Sequence, residues 1–311
     1  MARRPDSRQF RRHPHCHLVT KGMETKMTDA ELPKINMHGH LRHDQDLRQR
    51  VRTWEQWNVR YFCCLCLQEN FLPGYFTNAD FLAIKDEYRD VIIGFAAANI
   101  RKGCIDTPTD VARYRDQGFL GLKFLANSYP YSHDLYFPIY EAAQALGMPV
   151  FFHTGWLAGA GRDSSDFNRS FEISAENMRP YHLDRVARAF PDLKIIGAHL
   201  GWPHPLEALC LVEQYDNLYY DFSGGGGSDT HVRKILSALW PHPALPTDLA
   251  NPEQNRALLW FTKFCFATDN PEPSVWVPNS EHIMDRLHIP EETRRRFYYD
   301  NAARLLGLSD G

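Results

Sequence analysis

Eight short apolar runs recur between residues 34 and 270, and this repetition limits the possible folds more than any other feature. Each run is nearly continuous in apolar residues, which is typical of strands buried on both faces of a parallel sheet. The runs are KINMHGH (34–40), RYFCCLCL (60–67), VIIGFAAANI (91–100), FLGLKFL (119–125), MPVFFHTG (148–155), LKIIGAHLG (193–201), LYYDFSG (218–224) and FCFATDN (264–270). The pattern predicts an α/β fold with helices outside the sheet.

Amphipathic stretches separate these runs. Helical spacing of apolar residues is clearest in 47–57, 110–117, 135–147 and 182–190. Strand and helix alternating eight times predict a single-domain (β/α)8 TIM barrel with long βα loops, the longest over 154–181 and 239–260. An open doubly wound sheet is the alternative, but the first strand-to-helix turn lacks the Gly-x-Gly-x-x-Gly sequence of many such folds.

The amino-terminal residues do not share the barrel pattern. They are rich in Arg and His and poor in apolar residues, so we predict a disordered extension over residues 1–32 and a barrel domain over 33–311. A second interpretation is that translation truly starts at Met23 or Met27, inside that extension.

Composition argues against several classes of partner. The formal net charge is −3, which favours neither nucleic acid nor an anionic membrane surface as a partner. No apolar run approaches the roughly 18–20 residues of a membrane span. The cysteines Cys63, Cys64 and Cys66 crowd one apolar run, as buried reduced thiols do. We therefore expect a cytoplasmic protein that acts on a small molecule, with self-association left open.

Polar residues follow five of the predicted strands. His38 and His40 end the first run, and a His-x-His pair on one strand points both rings to the same side. Lys123, His153, His199 and Asp269 end the fourth, fifth, sixth and eighth runs. Because catalytic groups of such barrels lie at the carboxyl ends of the strands, these side chains are expected to meet there.

Their chemistry predicts a metal centre. We expect His38, His40, His153 and Asp269 to bind a divalent cation, since imidazole with one carboxylate suits Zn²⁺, Mn²⁺ or Fe²⁺. His199 is either a ligand of a second metal or a catalytic residue. The roles open to Lys123 are a salt bridge to Asp269, binding of a substrate anion, or carboxylation to bridge two metals, besides a structural role.

Three residues are candidates for substrate binding. Arg42 and Arg162 can pair with a carboxylate, although exposed arginines are as common without a ligand. Trp202 follows His199 by three positions, so we expect it to touch the substrate.

Several of these motifs together resemble the amidohydrolase superfamily, in particular its amidohydrolase-2 branch. They are INMHGHL, GFLGLKFL, PVFFHTG, RPYHLDRVARAFPDLKIIGAHLGWP, YYDFSG, ATDNP and NAARLLGL, which span about residues 34–308. The resemblance implies that Asp269 binds the metal and shuttles a proton, and that His199 polarises the substrate or activates the water. It also implies one metal, expected to be Zn²⁺, or two if Lys123 is carboxylated.

The expected function is hydrolysis of a C–O or C–N acyl bond in a small lactone, ester or amide that carries a carboxylate. An attacking water activated by the metal fits this reaction. Because the same branch contains non-oxidative decarboxylases of aromatic or unsaturated acids, decarboxylation is the first alternative. A metal-binding barrel without catalytic activity is the second.

Overall fold

The computed structural model describes residues 29, 31–157, 173–240 and 248–308. Seven strands form one parallel sheet in chain order, so each strand pairs with the next one along the sequence. The strands are β1 (Lys34–Gly39), β2 (Val59–Leu65), β3 (Ile92–Ala97), β4 (Gly121–Phe124), β5 (Val150–Phe152), β6 (Ile195–Gly197) and β7 (Leu218–Tyr220). They coincide with the first seven apolar runs, and the predicted α/β barrel class is confirmed.

The eighth apolar run lies between the two edges of this sheet. Cys265 N donates to Tyr220 O at 2.9 Å on the β7 side, and Met37 N donates to Phe266 O at 2.9 Å on the β1 side. Isolated parallel bridges join Tyr220 to Phe264 and Gly39 to Asp269. The segment 264–269, which we call the closing segment, therefore takes the place of the eighth strand without forming a regular one. One reason is the left-handed backbone of Asp269, whose φ is 60°.

Helices follow the strands. They are α1 (Leu47–Gln56), α2 (Asn78–Ile84), α3 (Pro108–Asp116), α4 (Phe137–Ala145), α5 (Leu183–Ala189), α6 (Pro205–Gln214), α7 (Asp229–Leu239), α8 (Ala257–Phe261), α9 (Pro273–Arg286), α10 (Glu291–Arg295) and α11 (Asn301–Leu306). Side-chain caps define several starts; Asp46, for example, accepts from Arg48 N and Gln49 N before α1. The four helices predicted from spacing are present as α1, α3, α4 and α5. None of the described helices is long and apolar enough to cross a membrane.

Two apolar clusters surround the sheet. The inner cluster contains alternate strand residues, among them Ile35, Met37, Phe95 and Phe151, together with residues of α11. The outer cluster joins the opposite strand faces to the helices. Because both faces of the sheet are largely apolar, polar side chains lie mainly at the strand ends, and Asn36 inside β1 and Lys123 inside β4 are buried exceptions.

Several predicted features lie outside the described residues. They are most of the amino-terminal extension, Arg162 with residues 158–172 of the first long loop, and residues 241–247 of the second. The six described cysteines are all free thiols, which agrees with their interpretation as unpaired.

Candidate metal centre

The two histidines of the first strand present matching nitrogens to one point. The Nδ1 atom of His40 donates to Leu65 O at 2.8 Å, and Nδ1 of His38 lies 3.0 Å from Asp221 Oδ2. A carbonyl or carboxylate oxygen only accepts, so each Nδ1 carries the proton and each Nε2 keeps its lone pair. The two Nε2 atoms lie 3.3 Å apart. Both rings are thus held in the tautomer that a metal ligand needs.

Asp269 completes a triangle with these nitrogens. Its Oδ1 atom lies 3.6 Å from His38 Nε2 and 3.5 Å from His40 Nε2. Two ligands at about 2.1 Å from a tetrahedral ion are about 3.4 Å apart, so the triangle has the size of three positions around one cation. The left-handed backbone at Asp269 costs energy and turns the side chain toward the histidines. These three residues were predicted to meet, and they do.

Protonation of the site also suits a metal. Burial, with Lys123 nearby, holds the pKa of His38 well below its ordinary range, and burial lowers the pKa of His40 to about 4. Burial alone raises the pKa of Asp269, but His38 and the other neighbouring imidazoles outweigh it and leave that pKa lowered. The site therefore offers two neutral imidazoles and one carboxylate, which are the forms that bind cations.

His199 lies next to this triangle. Its ring centroid is 5.0 Å from that of His38, and its Nδ1 atom donates to Ser223 O at 2.9 Å, which leaves Nε2 as the acceptor. The backbone of His199 is left-handed, with φ 58°. A Cβ atom on Gly224 would lie 2.8 Å from Nδ1, so only glycine lets the ring take this position.

His153 is a further neighbour of His199. The two ring centroids are 5.0 Å apart, and His153 Nε2 lies 3.3 Å from Trp156 O. Burial lowers its pKa well below the ordinary value, with a further contribution from His199. His153 does not belong to the compact group of His38, His40 and Asp269, whose ligand atoms all lie within 4.8 Å of one another. Its predicted role as a third histidine ligand stays a prediction.

Asp221 is a functional residue that sequence reasoning missed. It follows β7 and is fully buried. Its Oδ1 atom accepts from His199 N, Ser223 N and Ser223 Oγ, while Oδ2 accepts from His38. Asp221 also forms a compact group with His38 and His199, and the hydrogen bonds that it accepts from these two residues hold them next to each other. The sequence feature that could have identified Asp221 is its position in YYDFSG, at the end of a predicted strand like the other site residues.

Lys123 is buried inside the barrel beside the triangle. Only 1% of the residue is exposed, and Nζ has no hydrogen-bond partner among the described residues. The amine lies 4.5 Å from the centroid of the Phe151 ring. Burial lowers its pKa to about 7, although Asp221 and Asp269 act in the opposite direction. A buried amine is costly, and the Phe151 ring, Asp221 and Asp269 are the groups that stabilise its charge here.

These groups line a cavity of about 280 Å³. His40, Lys123, His153, His199 and Asp269 form its polar part, and the walls are Leu67, Phe71, Leu72, Tyr75, Leu125, Trp156, Leu157, Trp202, Gly224, Gly225, His231, Lys234 and Asn270. A larger groove of about 800 Å³ between α6, α7 and α8 shares Trp202 and Lys234 with it. None of the predicted metal ligands lines that groove, so the smaller cavity is the candidate site.

Of the predicted substrate-binding residues, Trp202 lines the cavity. Arg42 is exposed, pairs with Asp44 at 2.9 Å and lies over the Tyr75 ring, without lining the cavity itself. Its role in substrate binding stays a prediction, as does that of Arg162.

Fold and site together define a class of protein: a parallel α/β barrel with a histidine and carboxylate cluster of metal-binding type at its strand ends. The chain belongs to the amidohydrolase family, whose model matches residues 72–308. His38 and His40 precede that matched region, so their assignment to the site depends on the structure. A search of curated protein sequences gives no significant match.

Solved structures with the same fold include both hydrolases and decarboxylases. A 2,6-dihydroxybenzoate decarboxylase from Rhizobium is 14% identical with a TM-score of 0.59, covering 89% of this chain and 99% of its own. A probable 2-pyrone-4,6-dicarboxylic acid hydrolase from Acinetobacter baumannii, solved with citric acid, is 12% identical with a TM-score of 0.57, covering 89% and 100%. A 5-carboxyvanillate decarboxylase from Novosphingobium aromaticivorans, complexed with manganese and 4-hydroxy-3-methoxy-5-nitrobenzoic acid, is 14% identical with a TM-score of 0.51, covering 84% and 80%. At these identities the likeness shows the fold alone.

Proposed function

We propose that this protein is a metal-dependent hydrolase that cleaves a C–O or C–N acyl bond in a small carboxylated lactone, ester or amide. The supporting observation is the triangle of His38 Nε2, His40 Nε2 and Asp269 Oδ1, with edges of 3.3 to 3.6 Å. When bound there, a divalent cation activates a water and polarises the acyl oxygen. We propose one Zn²⁺, with Mn²⁺ and Fe²⁺ as alternatives and His153 as a further ligand.

The proton steps fall to Asp269 and His199. Asp269 accepts the proton of the attacking water and donates it to the leaving oxygen or nitrogen, because a carboxylate kept ionised at neutral pH begins as a base. Because His199 uses Nδ1 to donate to Ser223 O, its Nε2 is the nitrogen available to orient the water.

Substrate binding is assigned to the cavity walls. A carboxylate of the substrate pairs with Lys123, which gives this amine the partner it lacks. Trp202 lies against the Lys234 amine, 5.0 Å from Nζ to the ring centroid, and both form the wall toward solvent. A cavity of about 280 Å³ is of a size that suits a small substrate. We propose one metal if Lys123 binds the substrate carboxylate, and a second metal only if Lys123 is carboxylated.

Decarboxylation of a hydroxylated aromatic acid is the second candidate. The observation that favours it is the position of Lys123, which would draw a carboxylate to the same end of the cavity as the triangle. In that reaction a proton replaces the CO₂ that leaves; Asp269, ionised at rest, would first take this proton from water or from the substrate and then deliver it to the ring carbon.

Metal analysis followed by two substrate panels tests the proposal. We expect about one divalent ion per chain, hydrolysis of carboxylated lactones or esters, and no CO₂ from hydroxybenzoates. CO₂ release without hydrolysis would make the protein a decarboxylase. A metal-loaded protein inert on both panels would leave a non-catalytic barrel. His38→Ala should abolish metal content and turnover, whereas the exposed His282→Ala on α9 serves as the matched control.

A further inference from the structure

The barrel closes along an irregular seam between β1 and the closing segment, and three predicted ligands come from this seam. His40 N donates to Asp269 O at 3.1 Å, and Asp269 N donates to His38 O at 2.8 Å. The pairing of β1 with β2 shifts register between Asn36 and Gly39. The backbone contact at Asp269 is an isolated bridge and not part of a continuous ladder, so side chains can add to what holds the histidines and Asp269 together.

A buried side-chain pair bridges the seam just below these ligands. The Oδ1 atom of Asn36 accepts from Thr268 N at 3.1 Å and from His38 N at 3.3 Å. Its Nδ2 atom donates to Thr268 Oγ1 at 2.8 Å. Asn36 is fully buried and Thr268 is 1% exposed. One amide thus connects the backbone of His38 with the residue that immediately precedes Asp269.

The chemistry of this bridge requires an amide. Its oxygen satisfies two backbone N–H groups, and its NH₂ group supplies the donor for the threonine hydroxyl. A carboxylate at the same position has no donor and places a charge in the apolar interior. An aliphatic side chain removes this acceptor from His38 N–H and leaves Thr268 N–H only the His38 carbonyl oxygen, at 3.2 Å.

We propose that Asn36, acting with Thr268, is a positioning residue that holds His38 and Asp269 at metal-binding distance and so increases the affinity of the site for a divalent cation. Asn36 touches neither the ion nor the substrate in this arrangement. The inference rests on the proposed metal centre. Loss of partners that orient metal ligands typically weakens metal binding by about 10–100-fold, and we expect an effect of that size for Asn36→Ala.

The test measures metal affinity by chelator competition with Zn²⁺, and coordination by the absorption spectrum of the Co²⁺-loaded protein. Asn36→Ala removes the whole bridge, Thr268→Val removes its Nδ2–Oγ1 hydrogen bond alone, and Thr268→Ser keeps the hydroxyl. Asn301→Ala is the matched control, because Asn301 is equally buried and donates to Phe261 O and Phe264 O at the other end of the closing segment. Urea unfolding of the metal-free proteins reports stability separately.

Support for the proposal consists of weaker Zn²⁺ binding and an altered Co²⁺ spectrum in Asn36→Ala and Thr268→Val, with Thr268→Ser and Asn301→Ala close to wild type in both. If Asn36→Ala does not fold, the comparison of Thr268→Val with Thr268→Ser tests the proposal in its place. Equal losses of stability in Asn36→Ala and Asn301→Ala with unchanged affinity would show that the bridge is only structural. A wild-type protein that binds no Zn²⁺, Mn²⁺ or Co²⁺ would instead refute the metal centre itself, and this inference with it.

Discussion

Replacing Asp221 by asparagine changes one atom of a fully buried side chain and reverses the chemistry that His38 meets. The three donors on Oδ1 require the amide oxygen to stay on that side, so the new NH₂ group faces His38 Nδ1 across 3.0 Å. Either two donors then oppose each other, or His38 moves its proton to Nε2. In the second case the nitrogen that points to the metal position has no lone pair for a ligand bond.

The size of the expected loss in metal affinity follows from what is lost, a hydrogen-bond partner that orients a metal ligand. We expect metal affinity to fall by about 10–100-fold, which corresponds to about 1.4–2.7 kcal/mol of binding free energy. Hydrolysis at limiting metal should fall at least as much, and excess metal should restore part of it. Chelator competition gives the affinity, and turnover against metal concentration gives the recovery.

Asp106→Asn is the control for this experiment, since Asp106 is a buried aspartate that accepts hydrogen bonds from Asn99 and Tyr114 away from the site. It should leave metal affinity unchanged. The reasoning about the His38 tautomer is refuted if Asp221→Asn binds metal as tightly as the wild type while the metal-free proteins unfold alike.

Three further predictions concern the site and its walls. His38→Ala and His40→Ala should each remove bound metal and abolish turnover, as elemental analysis and a substrate assay would show; metal retained in both would contradict the triangle. Lys123→Met should lose activity on carboxylated substrates yet stabilise the metal-free protein, because burial lowers the pKa of this amine to about 7 from 10.5 and the folded state resists its protonation. The free energy of unfolding of the wild type therefore rises with pH between these two values. The stabilisation by Lys123→Met, on the order of 5 kcal/mol, should be complete below pH 7 and vanish near pH 10.5, as urea unfolding at several pH values would show. A stabilisation that does not depend on pH would contradict this explanation. Gly155→Ala should displace the Trp202 wall and destabilise the protein by about 1–3 kcal/mol, because the backbone φ is +92° and a Cβ would lie 2.0 Å from Trp202 O; calorimetry showing no loss would contradict this.

The order of the strands and the position of the site at their carboxyl ends could be predicted from the sequence. Apolar runs buried on both faces specify parallel strands, and parallel strands that close on themselves bring all their carboxyl ends together. His38, His40, His199 and Asp269 were therefore predictable as neighbours from their places at strand ends. The exception is the eighth run, whose apolar pattern predicted a strand where hydrogen bonds and a left-handed aspartate give an irregular closing segment.

Other features depend on contacts that no local pattern records. The Asp221 carboxylate meets His38 across 183 positions of sequence, and the Asn36 amide meets Thr268 across 232. The environment of Lys123 is likewise set by which side chains surround it, and not by its neighbours along the chain. Local periodicity determines which face of an element is buried, whereas tautomers, hydrogen-bond partners and pKa values depend on distances of a few ångströms between distant segments, which exist only once the barrel has closed.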